Sequence, residues 1–449
     1  MIKMIKSRPA QFIVPALINI VYVIIMLSNG TTFFNLQMPE GKYSKNAMNG
    51  TDVMTYVIPA RNFLAHGVFG SVSGDGTDPD YHRTIGYPMF LSFFIKTLGT
   101  DLWLYGVFFA QALLFASIYP MLFIINREFI GGADRGFYRA LLFLTASGCF
   151  IVTTPIVLSD MFFSAVFTCG LCLGLLSILR QSLIYLILHV IVIGYAAQVR
   201  PTLALYPILN AVVLVLVARR SGIINMKKIR IWIAASAIAL MIVCNGPSIR
   251  NYINHGFFEP TDIAAINLYD CLMVEVLFLE GNLDIYHMAN REIAQLSDVQ
   301  EIIKKKKTIA FQVFLRYPAS TIGKIVTHAG TILLRLPWLE TAALAGVDLS
   351  PEAYEKLSTR QIIIEKVFSM VITLCYMFIY ILFASFIIRT LRDGHVLFGL
   401  ATAGIVVYFL FPPFIAGGGF RMTLPVIGII TLCAFDELGR FFSNNPAAV

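Results

Sequence analysis

The sequence predicts an all-α membrane protein whose chain crosses the bilayer many times. Of its 449 residues, 57% are apolar and only 13% are charged, whereas soluble proteins carry about 25% charged residues. Apolar runs of roughly 18 to 25 residues recur along most of the chain, which is the length that a helix needs to cross a bilayer. No tandem repeat or low-complexity segment interrupts the pattern, so residues 1–449 are interpreted as one transmembrane domain.

About ten runs are apolar enough to be predicted as membrane-spanning helices. They are Gln11–Ser28, Leu102–Ile125, Ala140–Val157, a run that ends at Leu179, Leu183–Ala197, Leu203–Val217, Ile231–Gly246, Ile362–Ile388, Val396–Phe411 and Leu424–Leu438. Basic residues mark the cytoplasmic side of such helices. The basic N-terminus and the lysines and arginines between 219 and 230 therefore predict that both chain termini lie in the cytoplasm.

This topology leaves two large segments on the opposite side, the first outer region (29–100) and the second outer region (248–360). In the first, Asp52–His66 is typical of a short amphipathic helix. Gly86–Leu98 is apolar over only 13 residues, which predicts a helix along the membrane surface rather than a span. In the second, the weakly apolar Thr321–Leu336 is predicted not to span, because a span there would move the basic Arg389–Arg392 turn outside.

Ionisable side chains recur at the outer ends of the predicted helices. They are Asp52, Arg83, Asp160, Arg200, Arg250 and Arg421. Such groups are costly near a membrane and often mark a functional site. Each arginine taken alone is equally typical of an interface residue that extends its charge to water, so the site hypothesis rests on the set.

Three stretches carry a resemblance to a known family. The first is Asp52-x3-Tyr56 followed by Arg83-Thr-Ile-Gly86-Tyr87-Pro88, and the second is Arg250-Asn251-Tyr252-x3-Gly256-x-Phe258 with Asn267-Leu268-Tyr269 after it. The third is Gly419-Phe420-Arg421-Met-Thr-Leu-Pro425. In order and spacing they resemble the bacterial dolichyl-phosphate-mannose-mannosyltransferase-like group of GT-C membrane glycosyltransferases, relatives of aminoarabinose and protein mannosyltransferases. The resemblance implies a GT-C fold with interfacial helices in the first outer region.

The resemblance implies an inverting transferase of the bacterial inner membrane, with its active site on the periplasmic face. Its donor would be a polyprenyl-phosphate sugar, and its acceptor a lipid, a glycan or a protein. Asp52 takes the position of the catalytic base. A phosphate leaving group is already stable as an anion, so one carboxylate that deprotonates the acceptor suffices. Arg83 is then the first choice for holding the leaving phosphate.

The other motif residues are predicted to bind substrate or order the site. They are Tyr56, Tyr87, Asp160, Arg200, Arg250, Asn251 and Arg421. Asp160 has three open roles: it pairs with an arginine, binds the acceptor or holds a metal. The sequence departs from the family pattern at one point. Family members often have a proline directly after the basic residue, whereas here Thr84-Ile85 follows Arg83 and the proline is Pro88.

A second basic group lies in the second outer region. Lys324, His328 and Arg335 fall within about 60° of one another on a helix. This stripe is predicted to bind the lipid phosphate, and contact with anionic headgroups is the alternative. Lys304–Lys307 is a plainer charge run, typical of a solvated or headgroup-facing patch.

No cofactor is predicted. The sequence contains no zinc-type ligand cluster, phosphate-binding loop or dinucleotide fingerprint, and a lone carboxylate such as Asp160 gives little support to a divalent metal. Nucleic acid is not a predicted partner. Two alternative functions stay open, a flippase or transporter of lipid-linked sugars, and a glycan polymerase or ligase that uses lipid-diphosphate substrates. The loop from Asp52 to Pro88 directly after the first predicted helix favours the transferase.

Overall fold

The computed structural model describes residues 17, 21, 50–71, 76–130, 134–146, 159–220, 226–334, 359–416 and 423–442. Helices are the regular secondary structure of these residues, and the only strand-like pairing in them is an isolated bridge between Gly70 and Pro79. Arg335, Arg421 and most of the predicted first span, Gln11–Ser28, lie outside the described residues.

The helices follow one another with short connections. They are α1 Gly50–His66, α2 Gly86–Ile124, α3 Asp134–Ala146, α4 Ser159–Leu179, α5 Leu183–Val199, α6 Tyr206–Arg220, α7 Met226–Cys244, α8 Gly246–His255, α9 Ile263–Ile266, α10 Val274–Leu279, α11 Leu283–Ile293, α12 Val299–Arg316, α13 Pro318–Leu334, α14 Thr359–Arg392, α15 Val396–Ala416 and α16 Leu424–Phe442. Two π-helical segments, Ile125–Ile130 and Asn267–Met273, continue α2 and join α9 to α10.

Five helical stretches are long and apolar enough to cross a membrane. They are Leu102–Ile130, Ser159–Leu179, Met226–His255, Thr373–Arg392 and Val396–Ile415. Two shorter apolar helices, Leu183–Val199 and Tyr206–Arg219, accompany them. The prediction of a helical membrane protein is confirmed, because these seven helices coincide with predicted runs. The total of about ten spans stays a prediction.

The helix at the centre of the bundle is α4. In its most apolar window, 72% of the residues are buried inside the protein, and α4 packs against α2, α5, α6 and α16. An apolar helix that is covered on all sides by other helices is expected to be hydrophobic all round, and the composition of α4 agrees. Its first two residues, Ser159 and Asp160, are polar and also buried, so α4 fixes two polar side chains at one end of the bundle.

The first outer region meets the bundle through a break in α2. Gly99 has φ 72° and ψ −175°, a conformation that glycine adopts without the steric cost of a side chain. Beyond this break the chain turns back on itself, because a Cβ placed on Gly106 would lie 2.3 Å from Leu98 Cδ1 and 2.6 Å from Phe94 Cδ1. The predicted surface helix Gly86–Leu98 is therefore a separate segment, and it exposes Phe93.

The second outer region has its own apolar core. Tyr269, Leu272, Met273 and Val276 are buried in it together with residues of α11 and α12. Ile415, at the end of the candidate span in α15, packs against this core. The predicted non-spanning run Thr321–Leu336 falls largely in α13, which is not among the candidate spans of the described residues.

Candidate functional site

Two tyrosines of the first sequence motif meet the start of α4. The Tyr56 hydroxyl lies 2.9 Å from the Ser159 hydroxyl, and the Tyr56 ring packs edge-on against Tyr87 at 5.2 Å between centroids. The Tyr87 hydroxyl donates to Gln111 Oε1 at 2.8 Å. All four side chains are buried, so α1 and the start of α2 are packed tightly against the bundle.

Arg83 lies on α1. Its Nε–H donates to Thr55 Oγ1 at 2.9 Å, and its guanidinium carbon lies 4.8 Å from the centre of the Tyr56 ring. A guanidinium at this distance from an aromatic face is attracted by the ring quadrupole. The Arg83 side chain is therefore oriented towards the first turns of α1.

The backbone of Asp52 belongs to the first turn of α1, and its side chain lies outside the described part of the chain. Thr55 and Tyr56 follow Asp52 at i+3 and i+4. On an α-helix, residues with these spacings share one face. By register, Asp52 is therefore on the α1 face that Arg83 contacts.

The backbone of His82 and Arg83 is held by a buried aspartate, Asp80. The Asp80 carboxylate accepts hydrogen bonds from the backbone N–H groups of His82, at 3.0 Å, and of Arg83, at 3.3 Å. Burial raises the pKa of Asp80, and the backbone hydrogen bond from His82 opposes this shift. Asp80 is only 2% exposed, so its role in the described structure is to fix the turn that presents Arg83.

Arg250 supports the same turn from the second outer region. Its Nη2 donates to the Arg83 carbonyl oxygen at 3.3 Å and to Asn251 Oδ1 at 2.8 Å. Asn251 is fully buried, and its Nδ2 donates to the carbonyl oxygens of Glu259 and Pro260 at 2.9 and 3.1 Å. The second motif of the sequence therefore contacts the backbone of the first motif.

Asp160 and Arg200 form an ion pair beside these residues. Arg200 Nη1 lies 2.9 Å from Asp160 Oδ1, as an ion pair rather than an aligned hydrogen bond. Of the open roles of Asp160, pairing with an arginine is thus observed. Arg200 also lies 5.8 Å from the Phe163 ring centre, so the pair is attached to α4.

The start of α2 is seated on the last turn of α5, just before Arg200. Thr84 Oγ1 donates to the Val199 carbonyl oxygen at 2.9 Å, and the Tyr195 hydroxyl donates to the Gly86 carbonyl oxygen at 3.0 Å. A Cβ on Gly86 would lie 2.6 Å from the Gln198 carbonyl, a separation that only glycine permits. The glycine of the first motif, Gly86, is thus explained by the close approach of the α2 backbone to the α5 backbone.

The basic residues predicted in α13 belong to a second cluster. His328 Nε2 lies 2.8 Å from Glu275 Oε2 and Lys324 Nζ lies 3.3 Å from it. His328 Nδ1 lies 3.2 Å from the Phe414 carbonyl oxygen. Burial would raise the pKa of Glu275, but the hydrogen bonds from His328 and Lys324 bring it below its usual range. In the described residues this cluster and the Arg83 turn share no hydrogen bond or ion pair.

The lysine run in α12 links three parts of the second outer region. Lys305 pairs with Glu292 at 2.8 Å and Lys306 with Asp270 at 2.7 Å. Lys307 pairs with Glu259. Three consecutive lysines thus contact three different segments, whereas Lys304, the first residue of the run, is exposed. Because each pair is partly exposed, each contributes little stability, up to about 1 kcal/mol.

His82 connects the two outer regions. Its Nδ1 lies 2.8 Å from the Asp262 carboxylate. The hydrogen bond with Asp262 raises the pKa of His82, and burial opposes this shift. Other charged or titratable groups that act on His82 are Asp80 and Arg83, while the Tyr81 ring lies 4.6 Å away.

The His82–Asp262 bond is expected to make stability depend on pH. The folded pKa of His82 lies above its usual value of 6.5, so the contribution of the bond is fully present below that value and is lost as pH rises through the folded pKa. We expect Asp262→Asn to lower the melting temperature in detergent at about pH 6 and to have less effect at about pH 9. The stabilisation should be at most about 1 kcal/mol, because His82 is partly exposed.

The control is the same Asp262→Asn substitution in a His82→Gln background. There the effect on the melting temperature should not vary with pH, because glutamine does not titrate. An equal effect of Asp262→Asn at both pH values in the wild-type background would contradict the prediction.

Sequence reasoning missed four partners of the site. Thr55, Asp80, Asp262 and Glu275 each bind a side chain or turn described above. Asp80 follows Asp78-Pro79, and aspartate beside proline is typical of turns, so this residue carried a local signal. Thr55, Asp262 and Glu275 carried none, because their partners lie far away in sequence.

No group of three or more His, Cys, Asp or Glu side chains that could hold a metal ion occurs in the described residues. The arrangement around Arg83 offers a fixed cation and a polar helix face. Such a cation can stabilise negative charge that develops on a bound group. Comparison with protein-family models, with curated proteins and with solved structures finds no match for this chain.

Proposed function

We propose that the protein is an inverting glycosyltransferase, which moves a sugar from a polyprenyl-phosphate donor to a lipid, glycan or protein acceptor at the outer face of the inner membrane. Two lines of argument support this function. The three sequence stretches resemble GT-C transferases, and Arg83 contacts the α1 face on which Asp52 lies by register. The contact of Arg83 with this face of α1 carries the proposal, because the chemistry depends on Arg83 and Asp52.

In this mechanism Asp52 accepts the proton of the acceptor hydroxyl or amine. The acceptor atom forms a bond to the anomeric carbon while the bond from that carbon to the phosphate oxygen breaks. The electron pair of the broken bond stays on the polyprenyl phosphate, and Arg83 stabilises the resulting charge. A single displacement of this kind inverts the anomeric carbon.

One carboxylate is enough for this reaction. Hydrolysis of an ordinary glycoside needs a second carboxyl group to protonate a poor leaving group. A phosphate is a stable anion and needs a cation instead. The acid in the turn beside Arg83, Asp80, binds backbone N–H groups. The group that the turn presents is therefore the basic Arg83 side chain, which suits a phosphate leaving group.

The remaining residues position these two. Arg250 holds the backbone of the Arg83 turn, and Asn251 orients Arg250. The Asp160–Arg200 pair lies where that turn meets α5. Tyr56 provides an aromatic surface under the Arg83 guanidinium. In the proposed mechanism these residues also contact the substrates.

The test is a transfer assay with the full chain in lipid nanodiscs and vesicles. The donors are labelled polyprenyl-phosphate hexoses and pentoses, with polyprenyl-diphosphate sugars assayed in parallel, and the acceptors come from a membrane lipid extract. We expect release of polyprenyl phosphate together with a labelled acceptor. Movement of intact donor across vesicles would support the flippase instead, and consumption only of lipid-diphosphate substrates would support the polymerase or ligase.

A further inference from the structure

Three helices of the second outer region meet at one corner. The Ser320 hydroxyl of α13 donates to Glu280, which directly follows α10. Asn282 Nδ2, in the same turn, donates at 3.1 Å to the hydroxyl of Tyr317, which directly follows α12. The ends of α10 and α12 and the start of α13 therefore lie side by side.

Large apolar side chains project from this corner and from the two helices that leave it. Each is more than half exposed, and they are Phe278 (69%), Leu279 (56%), Phe311 (62%), Leu315 (67%), Ile322 (63%) and Val326 (64%). On each of α12 and α13 the two residues are four positions apart, so they form a stripe on one helix face. We call these six residues the corner patch.

The fold of the second outer region does not use the corner patch. In α12 the residues that enter the apolar core are Ala310 and Val313, and in α10 they are Val276 and Leu277. These residues occupy other faces of the same helices. Six large apolar side chains are thus left uncovered on three neighbouring helices, and exposed apolar surface of this kind often marks a site of interaction with a protein or a membrane.

The corner patch is close to the membrane-spanning part of the chain. α13 packs along α15, and His328 Nδ1 lies 3.2 Å from the Phe414 carbonyl oxygen near the end of the candidate span. Pro318, where α13 begins, precedes His328 by ten residues, so it lies at most about 15 Å along the helix from the level of Phe414.

The polar residues around the patch fit a lipid surface. Arg316 is exposed and lies 5.3 Å from the centre of the Tyr317 ring, and Lys304 is exposed on the same side of α12 as Phe311. Aromatic and basic side chains at the border of an apolar surface are typical of the membrane–water interface. The carboxylate at the corner, Glu280, accepts a hydrogen bond from Ser320.

We propose that the corner patch inserts into the headgroup region of the adjacent bilayer leaflet, and that it anchors the second outer region to the lipid surface. This anchoring holds whatever reaction the protein catalyses. It predicts lipid contact at Leu279, Phe311 and Leu315, in a region that the sequence places on the aqueous side of the membrane.

The test uses photo-crosslinking of the full chain in nanodiscs of phosphatidylethanolamine and phosphatidylglycerol. Benzoylphenylalanine is introduced at 279, 311 or 315, and in a control at the exposed Gln295 of the same region. Mass spectrometry after irradiation should find lipid adducts at the three patch positions several-fold more often than at 295. Equal or lower yields at the patch, or crosslinks to a second copy of the chain in place of lipid, would overturn the proposal.

Discussion

Asp52→Asn is expected to lower the turnover of polyprenyl-phosphate sugar by about 10²–10⁴-fold, the usual contribution of a general base. The amide has the same shape as the carboxylate but cannot accept the acceptor proton. The loss should appear in kcat, with little change in the KM for the donor, because the donor phosphate is assigned to Arg83. Initial rates of polyprenyl phosphate release in nanodiscs measure both constants.

The matched control for this variant is Asp78→Asn. Asp78 is an exposed aspartate of the first outer region, and its substitution should leave kcat within about twofold of wild type, as for most surface changes. Near wild-type kcat in Asp52→Asn would rule out Asp52 as the base. A large rise in donor KM at unchanged kcat would instead assign Asp52 to substrate binding.

Arg83→Gln is expected to lower kcat by about 10²–10³-fold, as removal of one preorganised group that stabilises developing charge does in other enzymes. Glutamine retains hydrogen-bond donors for Thr55 but has no charge for the leaving phosphate. Arg83→Lys should recover part of the activity, because lysine restores the charge without the planar fork of the guanidinium. The assay is the one used for Asp52→Asn.

Arg61→Gln provides the comparison, since Arg61 is an exposed arginine on the same helix α1. It removes one positive charge from the first outer region and should leave kcat unchanged. If Arg61→Gln and Arg83→Gln lowered kcat equally, the effect would come from net charge rather than from the position of Arg83. Equal activity of Arg83→Gln and wild type would exclude a role for Arg83 in stabilising the phosphate.

The parts of the structure that the sequence predicted are those with local signals. Runs such as Val396–Phe411 are apolar over most of a bilayer thickness, and the structure has a candidate span there. The separate helix Gly86–Leu98 was predicted from its length alone, and Gly99 ends it. Tyr56, Arg83 and Tyr87 were selected from short motifs, and in the structure Tyr56 contacts both of the others.

The parts that escaped prediction depend on contacts between distant segments. Lys324 and His328 were correctly placed on one helix, but their shared partner, Glu275, lies about fifty residues earlier and has no pattern of its own. Likewise, a run of four lysines gives no indication that three of them pair with carboxylates on different segments. Sequence periodicity predicts which residues share one face of a helix, but the residues that contact this face are determined by the tertiary fold.

The start of the central helix α4 has a mechanical consequence. Ser159 contacts Tyr56 and the adjacent Asp160 contacts Arg200, so both are attached to the same helical turn. If a thinner or thicker bilayer shifts α4 along its axis, Tyr56 and Arg200 move by the same amount. Their separation is therefore insensitive to membrane thickness.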